Sequence, residues 1–443
     1  MKIQLSDHFT YPRLLRFVFP SIMMMIFTSI YGVVDGLFVS NFVGKTPFAA
    51  INLIMPFLML FGAFGFMLGA GGSAIVAKYL GEGKRDRAIS VFSMLTCVTV
   101  LAGLTLTAIG MIFLRPIAAL LGAEGEMLEY CVIYGRVILI AMAAFMLQNL
   151  FHSFLVTAER PQFGLYVTVA AGVTNIVLDF LFIAVFSWGI LGAAIATAIS
   201  QAVGGLVPLI YFLNPKNKSL LHLTRPRFDG SALLRACTNG ASELMTNFSL
   251  SFANMLYNYQ LMRMVGEDGI AAFGVVMYVS FIFITVFIGY SIGSAPIISY
   301  HYGAKNRTEL GSLFRKSLVL MSIFGALMVL LAELLASPLS AVFVGYDEGL
   351  LTLTTRAFAL YSLAYLVLGI NIFASAFFTA LGNGGISAML SFLRLFVFQV
   401  ITLLVMPIWM GVDGIWLSIV AAELIALGVS VTCFVGQRKK YGY

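Results

Sequence analysis

The chain has 443 residues, 60% of them hydrophobic and only 10% charged, with a net charge of +7. A soluble domain carries about 25% charged residues and a water-exposed surface cannot hide this much apolar area, so the solvent of this chain is lipid. The basic excess would suit nucleic acid, but its placement along the chain argues membrane topology instead. Cys97, Cys131, Cys237 and Cys433 stand singly in apolar runs, without metal or redox spacing, and read as packing residues. The first apolar run lacks a small-residue cleavage site and reads as a retained span.

A spanning helix needs roughly 20 apolar residues, and the sequence predicts twelve such spans. The first, at about 13–39, carries Pro20 in its inner third and Asp35 about five residues below its outer end. Proline lacks an N–H and clashes with the carbonyl four residues back, which makes Pro20 a hinge candidate. Spans at about 47–77 and 88–114 flank the basic turn Gly81-Glu82-Gly83-Lys84-Arg85, and a fourth covers about 128–157. The fifth, about 162–186, holds Asn175 and Asp179 one turn apart on one face. The sixth, about 190–213, holds Thr197 with Gln201 one turn deeper.

At about 1.5 Å per residue, Asp35, Asn175, Asp179 and Thr197 come to one depth, roughly 10 Å below the outer surface. An intramembrane carboxylate costs roughly 2.5–3.5 kcal/mol on insertion scales, and a packing cluster rarely needs two. Two acids, an amide and a hydroxyl suit a hard monovalent cation such as Na⁺, or trap a proton.

The segment 214–230, with Lys216, Lys218, Arg225 and Arg227, reads as a linker between a six-span lobe at 1–213 and another at 231–443. The seventh span, about 232–264, carries Glu243, Asn247, Ser251, Asn254 and Asn258 as one polar stripe. Such a helix faces protein or water, not lipid; the stripe and Gln201 are expected to line a substrate cavity. The remaining spans fall at about 269–299, 310–335, 350–380, 385–409 and 413–436. Arg394 and Glu423 are expected to pair, and the tenth span holds Asn371 but no acid. With 22 Met and 39 Phe the interior is soft and aromatic, which suits flat, cationic, lipophilic ligands.

The two halves align at an offset of 222 residues: Gly44 on Gly266, Gly71 on Gly293, Gly81 on Gly303, Arg85 on Arg307, Asn149 on Asn371 and Gly189 on Gly411. Six spans return the chain to its starting side, so both copies keep one orientation, related by a pseudo-two-fold axis along the membrane normal. Both termini then share a side. Placing it in the cytoplasm puts twenty of the 26 Lys and Arg inside and four (Lys45, Arg115, Arg263, Arg356) outside, with Arg136 and Arg394 within spans.

These features resemble the multidrug and toxic compound extrusion (MATE) transporters over essentially the whole length. The resemblance rests on the twelve spans in two halves, Pro20 with Asp35, Asn175-x-x-x-Asp179, Thr197, the Gly81–Arg85 turn and Glu243. Val34-Asp35-Gly36-Leu37-Phe38-Val39 is most similar to the bacterial MepA-like branch. It implies an all-α polytopic protein that exports organic cations by alternating access, with Asp35, Asn175, Asp179 and Thr197 as its first-lobe cation site. It also implies H⁺ or Na⁺ as coupling ion and no other cofactor. The expected partners are small-molecule drugs or toxins and membrane lipids, not nucleic acid. The expected form is a monomer in a bacterial plasma membrane, with cytoplasmic termini and a part in antibiotic resistance. A flippase for a lipid-linked saccharide precursor is the alternative, but it would want several Arg or Lys in its cavity. An enzyme is not expected: no HExxH, P-loop or nucleophile–base arrangement is present.

Overall fold

The computed structural model describes residues 3–214, 216–217 and 219–443. Lys2 and Lys218, and the side chain of Lys45, all counted in the charge bias, lie outside the described residues. The helices are α1 (Tyr11–Phe38), α2 (Lys45–Gly81), α3 (Arg85–Leu120), α4 (Gly125–Ile140), α5 (Met142–Thr157), α6 (Pro161–Asp179) and α7 (Gly189–Leu213). Then follow α8 (Gly230–Asn239), α9 (Ala241–Met264), α10 (Glu267–Gly303), α11 (Arg307–Val344), α12 (Glu348–Ser362), α13 (Tyr365–Ala380), α14 (Gly384–Phe392), α15 (Gln399–Met410) and α16 (Val412–Tyr441). π-Helical turns extend α1 over Val39–Val43, extend α6 over Phe180–Val185, and join α14 to α15 over Leu393–Phe398.

Among the described residues, nine helices (π turns included) are long and apolar enough to cross a membrane, and the pairs α4–α5 and α12–α13 bring the number to eleven. The twelfth crossing is α8–α9, which misses that mark because its polar stripe replaces the apolar side chains. The fourth and tenth spans are expected to be continuous; instead they bend by 57° and 50°. The carbonyls loosened near each bend have hydroxyl partners: Thr107 donates to Leu139 at 2.6 Å and Ser362 to Ala359 at 2.9 Å. The breaks sit at Ala141 and at Leu363–Ala364, so they too are repeated at the 222-residue offset.

That offset is a physical symmetry. At the face carrying both termini, a Cβ on Gly81 would run into the Tyr300 carbonyl, and a Cβ on Gly303 into the Lys78 carbonyl. Gly81 and Gly303 are repeat partners, as are Lys78 and Tyr300, so one contact is made twice, as across any two-fold interface. One turn or more further in, Gly71 abuts Ala236 and Gly240, and its partner Gly293 abuts Val18, the repeat partner of Gly240. The residues before α1 cross this same face. Leu5 N–H donates to Glu159 of lobe one at 2.8 Å, and Phe9 N–H to Glu309 of lobe two at 2.9 Å. The lobes are therefore closed against each other at the terminal face.

Away from that face they part. On α2, the helix side that buries Met67 and Gly71 against α8–α9 continues outward as Leu60, Pro56 and Asn52, all exposed. On α9, the side that starts at Gly240 continues as Glu243, Asn247, Ser251, Asn254 and Asn258, half-buried or exposed. The polar stripe and this side of α2 are both left uncovered beyond the closed face, and we read the space between them as a gap between the lobes.

Candidate functional site

Asn175 and Asp179, at i and i+4 of α6, are both buried. The Asp179 carboxyl faces the Asp35 carboxyl of α1. Each acid lies near a π turn, Asp179 as the last residue of α6 directly before Phe180–Val185 and Asp35 in the last turn of α1, four residues before Val39–Val43. A π turn adds a residue without breaking the helix and re-aims side chains beside it, and such turns cluster at working sites.

The oxygens of this cluster lack partners. Asp35 Oδ1, Asn175 Oδ1, both Asp179 carboxyl oxygens, Thr197 Oγ1 and Gln201 Oε1 are buried with no hydrogen-bond partner among the described residues. Nearly all buried polar atoms in folded proteins are bonded, so these six acceptor-capable oxygens call for a proton, a cation or ordered water. The residue types fit either: all ligands are oxygen, and two are carboxylates. Asp35, Asn175, Asp179 and Thr197, expected for the first-lobe site, each contribute such an atom, as does Gln201, expected to line the substrate cavity.

Aromatic hydroxyls surround the acids, and sequence reasoning misses them. Tyr31, one turn before Asp35, stands beside Gln148 of α5. Tyr134 of α4 stands beside Thr197. Tyr278 reaches across from α10 in lobe two, its hydroxyl 3.5 Å from where a Cβ on Gly36 would lie. Only the i, i+4 spacing of Tyr31 and Asp35 could have pointed to any of them.

Lobe two holds a different polar core. Glu423 accepts from Asn371 Nδ2 at 2.7 Å and lies 3.7 Å from Arg394 Nη1, the expected pairing. Ser430 donates to Asn371 Oδ1 at 2.9 Å. Tyr257, Gln399 and Ser418 form a second network, with Gln399 Nε2 2.6 Å from the Tyr257 hydroxyl. On the α9 stripe, Asn247 and Ser251 bond only their own helix, to the carbonyls of Glu243 and Asn247 at 2.8 and 3.0 Å. Among the described residues neither of these two side chains bonds another helix, while Glu243 lies within electrostatic reach of Arg394. Pro20 is buried within α1, between Val18 and Ile22, which pack on Gly293 and Gly289 of α10.

Two six-helix lobes, a shared pseudo-two-fold and a partnerless acid cluster beside an interlobe gap define a polytopic membrane transporter, not an enzyme. The chain belongs to the MatE family, whose model matches twice, over residues 20–181 and 244–405, once in each lobe. It is 21% identical over 424 residues to the multidrug export protein MepA of Staphylococcus aureus (strain MRSA252), covering 95% of this chain and 93% of that one. Its fold matches an outward-facing structure of a multidrug resistance MATE family transporter of the MOP superfamily, with a TM-score of 0.92 at 23% identity, covering 99% of this chain and 98% of that one. A MOP superfamily transporter from Pyrococcus furiosus Vc1 (DSM3638), described as having a binding pocket of reversed polarity that suggests a different function, matches with a TM-score of 0.90 at 23% identity, covering 98% of this chain and 96% of that one.

Proposed function

We propose that the chain is a secondary active multidrug exporter, moving lipophilic organic cations out of a bacterial cell in exchange for H⁺ or Na⁺ by alternating access. Its working units are lobes 1–213 and 231–443, joined by the linker 214–230. It acts as a monomer in the plasma membrane with both termini cytoplasmic. The observation that carries this reading is the set of six buried, partnerless oxygens on Asp35, Asn175, Asp179, Thr197 and Gln201. Inside a bilayer each costs several kcal/mol by order of magnitude unless something bonds it. A proton between the two carboxyls, or Na⁺ among the oxygens, removes that cost. A bound ion shifts the lobes only by binding one arrangement better than the other, and α1 is the element whose bonds it changes. Pro20 is the point about which α1 bends in response.

Export of cations is supported by Glu243 on the stripe facing the gap, and by Phe248, Phe252 and Met255 exposed on the same helix. A carboxylate attracts positive charge strongly where water is scarce, and aromatic faces and Met accept flat cations. The flippase reading wants free cationic groups in the interior. Arg394 in lobe two is paired with Glu423, which weighs against it. The test is dye-cation transport by purified protein in proteoliposomes under an imposed H⁺ or Na⁺ gradient. Movement driven by one gradient supports the reading; no movement under either defeats it.

A further inference from the structure

The turn after α7 forms two joined hollows on the terminal face, of about 420 and 320 Å³. Arg85 and His222 line the first, Arg160 and Lys216 the second, and Asn214 and Asn217 line both. Neither hollow is lined by a described carboxylate. Several acceptors in the wall are already used. Asn214 Oδ1 takes the Lys216 N–H at 3.0 Å, and Asn217 Oδ1 takes the Ser219 N–H at 2.8 Å. The Leu221 carbonyl takes Asn217 Nδ2 at 3.2 Å and Ser219 Oγ at 2.5 Å. Arg85, Arg160 and Lys216 bring donors and positive charge to this wall. Arg160 Nε in particular is buried with no hydrogen-bond partner among the described residues.

The other lobe supplies a comparison. At the 222-residue offset Phe212, Lys216 and Leu221 fall on Phe434, Arg438 and Tyr443. Leu221 is buried in the cluster that holds Phe212, and Tyr443 donates its hydroxyl to the Phe434 carbonyl at 2.8 Å, so the chain folds back in both lobes. In lobe two the basic residue is used internally, with Arg438 Nε donating to the Tyr443 carbonyl at 3.1 Å. In lobe one Asn217 and Ser219 take over that carbonyl, and the Lys216 ammonium is left for something else. On the helices that lead into the hollows, Ile210 and Leu213 of α7 and Tyr166 of α6 are exposed.

We propose that these hollows bind the phosphate headgroup of an anionic glycerophospholipid, with its acyl chains lying along Ile210, Leu213 and Tyr166. The shared chemistry is a phosphate monoanion. Arg supplies a bidentate fork to it and Lys a point charge, each basic group near a membrane surface adding about 1 kcal/mol. The site depends on the basic face of the chain meeting headgroups, not on the transport reading, and its test reads binding alone.

The experiment is native mass spectrometry of the purified full chain titrated with phosphatidylglycerol or with phosphatidylcholine, with competition by inorganic phosphate and by glycerol 3-phosphate. Wild type is expected to bind phosphatidylglycerol about tenfold better than phosphatidylcholine, a gap of about 1.4 kcal/mol. Arg160→Gln with Lys216→Gln should erase that preference, and Arg160→Lys with Lys216→Arg should keep most of it. Arg225→Gln with Arg227→Gln, linker charges outside the hollows, should leave it intact. Equal binding of the two lipids overturns the proposal, as does equal loss in the linker control, which would mean a diffuse field. Displacement of the lipid by millimolar inorganic phosphate overturns the lipid assignment in favour of a free anion.

Discussion

Lobe one and lobe two place polar residues at the same repeat positions and then treat them oppositely. Asn371 and Glu423 of lobe two are bonded to each other and backed by Arg394 and Ser430. Their repeat partners, Asn149 and Gln201, make no such bond; Asn149 Nδ2 and Gln201 Oε1 are both buried and partnerless among the described residues. Where lobe one has Asp35, lobe two has Tyr257, tied into Gln399 and Ser418. A polar core that satisfies itself is a scaffold, and one that does not is waiting for a ligand. On this comparison the proposed coupling ion belongs to lobe one, and the polar pair of lobe two supports its own shape.

The sharpest way to break the comparison is to neutralise the acids one at a time. Asp35→Asn and Asp179→Asn should each drop gradient-driven efflux to background. Their unfolding midpoints should hold or rise, since two facing acceptors lose their repulsion. Normal efflux by both variants would remove this cluster as the coupling site. In lobe two, Glu423→Ala should do the reverse, removing the nearest carboxylate from buried Arg394 and leaving only Glu243 facing it, at a cost of about 3 kcal/mol. The lower stability should appear in thermal unfolding, while transport per folded molecule persists. Arg394→Met with Glu423→Leu should recover most of it. A Glu423 variant that stays stable but loses coupling would move an ion site into lobe two.

A third measurement concerns the gap that both lobes share. Glu243→Gln should weaken export of a monocationic substrate by about tenfold, roughly 1.4 kcal/mol, and change a neutral analogue little. Equal losses would make Glu243 structural. Smaller effects are expected at the closed face. Gly81→Ala drives a methyl into the Tyr300 carbonyl and should raise cysteine labelling along Lys78–Gly81 a few-fold, and Gly303→Ala should do the same from the other lobe. If only one glycine matters, the symmetry of the seal is not functional. The subtlest test follows the distance between the outer ends of α1 and α6 by spin labels across pH and Na⁺. It should shift by a few ångströms at about helix-packing scale in wild type and stay fixed in Pro20→Ala. The same shift in both would make Pro20 a static kink.

Much of this was legible in the sequence. The twelve crossings, the 222-residue register, the face shared by Asn175 and Asp179, and the Arg394–Glu423 pair all follow from periodicity or from the cost of charge in lipid. The bends at Ala141 and Leu363–Ala364 were not, because neither carries proline or glycine. Their loosened carbonyls depend on hydroxyls such as Thr107, which comes from another helix. Tyr134 and Tyr278 were invisible for a related reason: among 18 tyrosines, only tertiary packing brings these two to the acids.

The polar stripe of α9 has a consequence for how the chain is made. A helix leaving the insertion machinery enters lipid on its own only if its apolar residues outweigh the polar ones, and α8–α9 does not reach that mark. It needs company, and its contacts are with α2, already synthesised, and with α10, α14, α15 and α16, which come later. Lobe one emerges first and offers the α2 face, with Met67 against Gly240, as the earliest place for α9 to rest. The second lobe is thus born dependent on the first. Expressed alone it should leave its opening helix stranded at the membrane surface, although each lobe repeats the plan of the other.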